Sequence, residues 1–170
     1  GSRTLPYRSL AYALAHSAAS QVVMLRKGTY VTGGFSLGNS RAKQIIAAPD
    51  ELATLDLNRS GNISVNTNIA PAARLEGVDV IHVRQYGIVS DPSTAGLVVR
   101  NVRFVDGEEG DTPSENPAFI HGWGDSQAAW RHKLLVQDND FGTYRMKSAG
   151  AYALTLFDAG ESLVENNQIH

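Results

Sequence analysis

Leu163-Val164-Glu165-Asn166-Asn167-Gln168-Ile169 has relatives elsewhere in the chain, and this self-similarity limits the fold more than any other feature. Val136-Gln137-Asp138-Asn139-Asp140-Phe141 and Val99-Arg100-Asn101-Val102-Arg103-Phe104 share its cadence, and Leu75-Glu76-Gly77-Val78-Asp79-Val80 is a fainter copy. Each reads apolar, polar, small or amide-bearing, Val or Asn, polar, apolar. The copies begin at residues 75, 99, 136 and 164, so the steps are 24, 37 and 28 residues. Repeats with periods of roughly 20–50 residues mark solenoids, propellers or arrays, because one unit cannot bury its apolar face alone.

A further strand-like segment precedes each later copy: Tyr86-Gly87-Ile88-Val89, Ala118-Phe119-Ile120-His121 and Tyr152-Ala153-Leu154-Thr155. One unit is therefore strand, turn, strand, turn, strand, with apolar residues alternating inward. Such strands also suit a sandwich or barrel, but tight hairpin dipeptides are nearly absent, Asp106-Gly107 being the exception. Likeness between units is a requirement of stacked coils and not of hairpins. Residues 106–117 and 122–132 read as insertions, and they account for the long step.

Upstream, residues 4–20 predict a helix with Thr4 as N-cap, Pro6 in the first turn, and Leu10, Ala13, Leu14 and Ala18 on one apolar face. Val22–Leu25 predicts a buried strand and Lys27-Gly28-Thr29-Tyr30 the turn leaving it. Short strands follow at Phe35–Leu37, Gln44–Ala47, Thr54–Leu57 and Ile63–Val65, each closed by turn residues.

The chain has 170 residues, enough for one domain with a substantial core, so residues 1–170 are expected to form a single unit. Apolar residues make up 42%, charged residues 19%, and the formal net charge is −2, a balance that advertises neither nucleic acid nor an anionic membrane surface. No run approaches the ~18 apolar residues of a membrane span. The absence of cysteine excludes disulfides, thiol catalysis and a Cys-ligated zinc site.

The helix, then Val22–Leu25, then Arg26-Lys27-Gly28-Thr29-Tyr30, resembles the start of the pectate-lyase-like right-handed parallel β-helices. In that superfamily an amphipathic helix covers the open end and a Gly-Thr-Tyr turn closes the first coil. Val164-Glu165-Asn166-Asn167-Gln168-Ile169 is similar to its recurring coil, whose second Asn stacks in a ladder at a sharp turn. The matching column here is Val78, Val102, Asn139 and Asn167, a partial ladder. The resemblance implies an all-β solenoid of about five to six coils (residues 22–170) behind an N-terminal capping helix (residues 4–20). The sequence leaves the compartment open, with a secreted, periplasmic or cell-surface setting favoured. The chain ends within what reads as a coil strand, which suggests a truncated chain, a disordered remainder, or an end covered by another subunit in a homodimer.

Enzymes of this fold cleave or epimerise acidic polysaccharides, using a cation for the uronate carboxylate, a base for the C5 proton and an acid for the leaving oxygen. On that reading Lys147 or His121 is the base, Arg145 the carboxylate clamp, and Trp123 or Tyr144 the sugar platform, with Asp158 lining the same groove. Asp138 and Asp140 offer oxygen ligands to a Ca²⁺ ion, although turn chemistry explains them without one, and no metal ligand set is assigned. Ordinary surface roles also account for the others: solvated cations at 145 and 147, tryptophans packing an excursion, and His82, Arg84, Arg100 and Arg103 facing water. No Asp-Pro-His-Glu, tight Asn-Thr-Asp, Walker loop, HExxH or Gly-x-Ser-x-Gly is present. Two functions stay open: a carbohydrate-active β-helix of lyase type, and a non-catalytic module that binds glycans or protein, as in adhesins and tailspikes.

Overall fold

A computed structural model describes residues 6–18, 21–37, 44–65, 73–91, 96–111, 117–122, 133–147, 150–156 and 162–170. After a short helix, α1 (Leu10–His16), the chain makes repeated passes through parallel strands. The first pass holds β1 (Val22–Leu25), β2 (Gly28–Val31) and β3 (Phe35–Ser36), and the second β4 (Gln44–Ala47), β5 (Ala53–Asp56) and β6 (Ile63–Val65). The third holds β7 (Ala73–Glu76), β8 (Val78–Arg84) and β9 (Tyr86–Ser90), and the fourth β10 (Leu97–Arg100), β11 (Arg103–Glu108) and β12 (Ala118–Gly122). The fifth comprises β13 (Leu134–Gln137), β14 (Asp140–Phe141), β15 (Tyr144–Arg145) and β16 (Tyr152–Leu156), and β17 (Leu163–Glu165) and β18 (Gln168–Ile169) begin a sixth.

Like strands of successive passes pair in parallel, giving three stacked parallel sheets. The first sheet is β1-β4-β7-β10-β13-β17; the second runs β2-β5-β8-β11-β14-β18 with β15 also on β11; the third is β3-β6-β9-β12-β16. Among the described residues a single antiparallel pairing, Arg84 with Tyr86, joins the second sheet to the third. This all-β arrangement of stacked parallel strands agrees with the expected architecture. The repeat is also exact in register: Leu75, Val99, Val136 and Val164, which open the four sequence copies, are direct partners across the first sheet.

Two local expectations change. The helix covers Leu10–His16 and not residues 4–20, because Ser9 takes the N-cap position, its side chain accepting from the Tyr12 N–H, and Ser17 turns extended at the other end. Thr4 lies outside the described residues, and Ala18 is exposed beyond the helix. The second change is at Gly28-Thr29-Tyr30, which form strand β2 against β5 and not a turn. Part of the first insertion also belongs to a strand, since Asp106–Glu108 complete β11. The excursion over 122–132 lies outside the described residues apart from Gly122.

Columns of like side chains fill the interior. Val23, Ile45, Leu75, Val99 and Val136 are buried one above another in the first sheet, and each such burial stabilises by about 1.5–3 kcal/mol. Leu55, Val80, Phe104 and Phe141 form the facing column, with the last two rings stacked at 5.2 Å. Leu10, Ala13 and Leu14 of α1 join the same core, so the helix covers its first end. At Gly107 any Cβ would overlap the Tyr144 ring and come within 2.9 Å of Phe119, so a bare backbone is needed there.

The corner between the first and second sheets is built the same way in the third to sixth passes. Gly77, Asn101, Asp138 and Asn166 all take left-handed backbone conformations there, with φ between 50° and 71°. Glycine, Asn and Asp are the residues that tolerate this region, which explains the small or amide position of the repeat. The next residue points inward: Val78 and Val102 bury methyls, whereas Asn139 and Asn167 form the partial ladder. Asn139 Oδ1 accepts from the Val102 N–H at 2.9 Å, and its Nδ2 donates to the Val99 carbonyl at 3.0 Å and to Asn167 Oδ1 at 2.9 Å. Asn167 repeats the pattern one pass later, its Nδ2 donating to Val136 O at 2.9 Å and its Oδ1 accepting from the Asn139 N–H at 3.0 Å.

Truncating Asn139 leaves the Val102 N–H and the Val99 carbonyl buried without those partners. Asn139→Ala is expected to lower unfolding free energy by about 2–4 kcal/mol, and Asn167→Ala, half-buried at the last pass, by about 1 kcal/mol. Urea titrations of the two variants check the ranking.

Candidate functional site

A second column of left-handed residues lies on the outer surface. His82 (φ 53°) and Asp106 (φ 59°) occupy equivalent places in β8 and β11, between the paired positions Ile81–Val105 and Val83–Gly107. Arg59 (φ 52°), in the connection after β5, donates its N–H to the His82 carbonyl at 3.0 Å. Left-handed residues interrupt the alternation of a strand and re-aim its side chains. Just beyond, Arg84, Glu108 and Arg145 share one register position on three successive passes.

These residues form two neighbouring charged clusters, one around Asp106 and Glu108 and one around Asp111. His82 Nδ1 lies 2.8 Å from Asp56 Oδ1, and its Nε2 lies 3.7 Å from Asp106. Arg59 pairs with Asp106 and, at 2.7 Å, with Glu108. Arg145 reaches the same two carboxylates from the opposite side, at 2.6 Å and 3.8 Å. Arg84 pairs with Asp111, which also receives Lys147 at 3.5 Å. The Arg84 guanidinium, followed by Lys147, holds the Asp111 carboxyl below its usual range. The strip thus runs over four passes, from Asp56 to Lys147, with each cation beside a carboxylate.

Arg145 ends β15 and Lys147 lies two residues beyond it, with 59% and 64% of their side chains accessible. A lysine acting as a base is usually desolvated or placed beside another cation; Lys147 instead has water around it and a carboxylate next to it. Tyr144 turns inward: its ring meets Phe119 edge-on at 5.1 Å, and its hydroxyl donates to the carbonyls of Gln85 and Glu108 at 2.9 and 3.0 Å. Burial, and then the buried Glu109 carboxylate, push that hydroxyl's pKa up. Glu109 also accepts the Lys147 N–H at 2.7 Å.

His121 sits on the third sheet and is buried, sharing a 2.6 Å hydrogen bond between Nδ1 and Thr155 Oγ1, with its ring 4.6 Å from that of Tyr86. Burial lowers its pKa, which keeps the imidazole neutral at pH 7. Trp123 and Asp158 lie outside the described residues. Asp138 occupies the left-handed corner and faces Arg100 at 3.7 Å, while Asp140 meets His170 at 3.2 Å. Among the described residues no group of three or more His, Asp or Glu side chains is arranged to hold a metal.

His82 and Arg84, expected to be merely solvated, belong to these two clusters, and so do Asp56, Arg59, Asp106, Glu108 and Asp111. A signal for part of this was present. Residues nine positions after the copies that begin at 75, 99 and 136 are Arg84, Glu108 and Arg145, an alternating-charge column. Comparison of the chain with protein-family models, with curated proteins and with solved structures finds no match to any of them.

The buried imidazole gives a pH dependence. Since the folded pKa of His121 lies below the unfolded value, the unfolded state takes up the proton first. Stability is then lost as pH falls from about 6.5 toward the folded pKa, at no more than about 1.4 kcal/mol per pH unit. Urea midpoints measured across that window should fall more steeply for the wild type than for His121→Gln.

Proposed function

We propose that this chain is a right-handed parallel β-helix of the pectate-lyase-like kind whose outer face binds polysaccharide, as a glycan-binding module. Right-handedness is the rule for parallel crossovers, and the left-handed corners with their Asn pair are what the superfamily resemblance implies. The observation that carries the binding reading is the register column Arg84–Glu108–Arg145 beside His82 and Asp106. Neighbouring strands are spaced by about 4.8 Å, close to the advance of one sugar in an extended polysaccharide. A polymer lying across the strands would therefore meet a polar side chain from each pass in turn.

The arrangement supports binding in preference to β-elimination. Of the groups considered for a lyase, the cations are engaged by carboxylates and His121 is buried. Native electrophoresis through gels containing plant and microbial polysaccharides tests the proposal: retardation by at least one is expected, and Arg145→Ala should weaken it about tenfold, the loss of one charge-assisted hydrogen bond. The ultraviolet absorbance of unsaturated uronate should stay flat with pectate, alginate and glycosaminoglycans. A rising signal that Lys147→Ala abolishes would replace the binding reading with a lyase.

A further inference from the structure

We infer that the outer strip selects uncharged polysaccharides, and that Asp106 and Glu108 set this preference by masking Arg59 and Arg145. The inference rests on the polysaccharide-binding reading and goes beyond it by naming the ligand class. Arg59, Arg84, Arg145 and Lys147 supply the cations of the strip, and Asp56, Asp106, Glu108 and Asp111 supply as many carboxylates. Apart from His82, the strip is formally neutral. Asp106 and Glu108 lie on the fourth pass, gripped by Arg59 from the second and Arg145 from the fifth.

A uronate or sulfate arriving at either guanidinium would be set against Asp106 and Glu108 at contact range. Two like charges that close repel strongly where water is partly excluded. Displacing the carboxylates would not solve this, because β11 is held on both sides at Gly107 and Glu108, beside Asp106. Sugar hydroxyls meet no such obstacle. Each hydroxyl both donates and accepts, so it can bond a free carboxylate lone pair and a remaining guanidinium N–H without breaking the ion pair. An alternating-charge strip therefore suits a hydroxyl-rich, uncharged chain.

The test compares wild type with the double variant Asp106→Asn, Glu108→Gln. Asn keeps the left-handed backbone at 106 accessible, and a thermal melt checks that the variant folds. Affinity electrophoresis would use xylan, glucomannan and mixed-linkage β-glucan as neutral probes, and polygalacturonate, alginate and heparin as anionic ones, at ~0.15 M salt. Wild type should be retarded by a neutral probe and by no anionic one. The double variant should bind an anionic probe about tenfold more tightly than wild type, as loss of like charges at contact range predicts. Wild type bound as strongly by anionic as by neutral probes would overturn the inference and leave the polysaccharide-binding reading standing; this comparison needs no variant. Retardation by no probe of either kind would remove both.

Discussion

Parallel pairing in register is the constraint on which the rest of this structure depends. Each pass of the chain must present the same parity of side chains as the pass beside it, because a slip of one residue would exchange the inner and outer faces. Val23, Ile45, Leu75, Val99 and Val136 can share a core column only if every intervening turn returns the chain to the same phase. The left-handed residues Gly77, Asn101, Asp138 and Asn166 perform that resetting at one corner. Asn139 and Asn167 then link neighbouring corners through side chains, adding to the backbone ladder. Insertions of different length are accommodated elsewhere, which is how steps of 24, 37 and 28 residues lead to the same stacking.

The same geometry that orders the interior also arranges the exterior. A residue two places from a core position is again inward, and one place away is outward, so outward residues form columns as regular as the buried ones. Charges placed in such columns are brought to strand spacing whether or not they are near in sequence. Glu108 and Arg145 are far apart in the chain and adjacent in register. Tyr144, one residue earlier, goes the other way into the space left by Gly107. One residue of phase separates a surface cation from a core aromatic.

Much of the fold was legible because the repeat is written in residue types that backbone geometry demands. The alignment of 75, 99, 136 and 164 predicted the observed pairing residue for residue, and the two Asn of the ladder column followed from the superfamily resemblance. The surface network was legible only in part. Extending the repeat places Arg84, Glu108 and Arg145 together, but Asp56 and Arg59 obey no single offset. Ile45 and Leu75 differ by 30 residues, whereas Asp56 and Ile81, in the same two passes, differ by 25. The connection between β4 and β5 absorbs the difference, so no periodicity points from the second pass to the fourth. Tyr144 and His121 were unreadable for another reason: whether an aromatic or an imidazole faces water depends on what is missing at Gly107 and what lies over β12.

Arg59 has one more consequence. In a stack where each pass touches only its two neighbours, melting can proceed pass by pass, and cooperativity is limited to nearest-neighbour coupling. Arg59 belongs to the second pass yet grips carboxylates on the fourth, over a gap of about 9–10 Å that equals two strand spacings. That staple couples second neighbours. Opening the third pass, enclosed between the two it ties, then costs about 1 kcal/mol more than nearest-neighbour contacts alone would set, so cooperativity reaches one pass further than in a purely one-dimensional array.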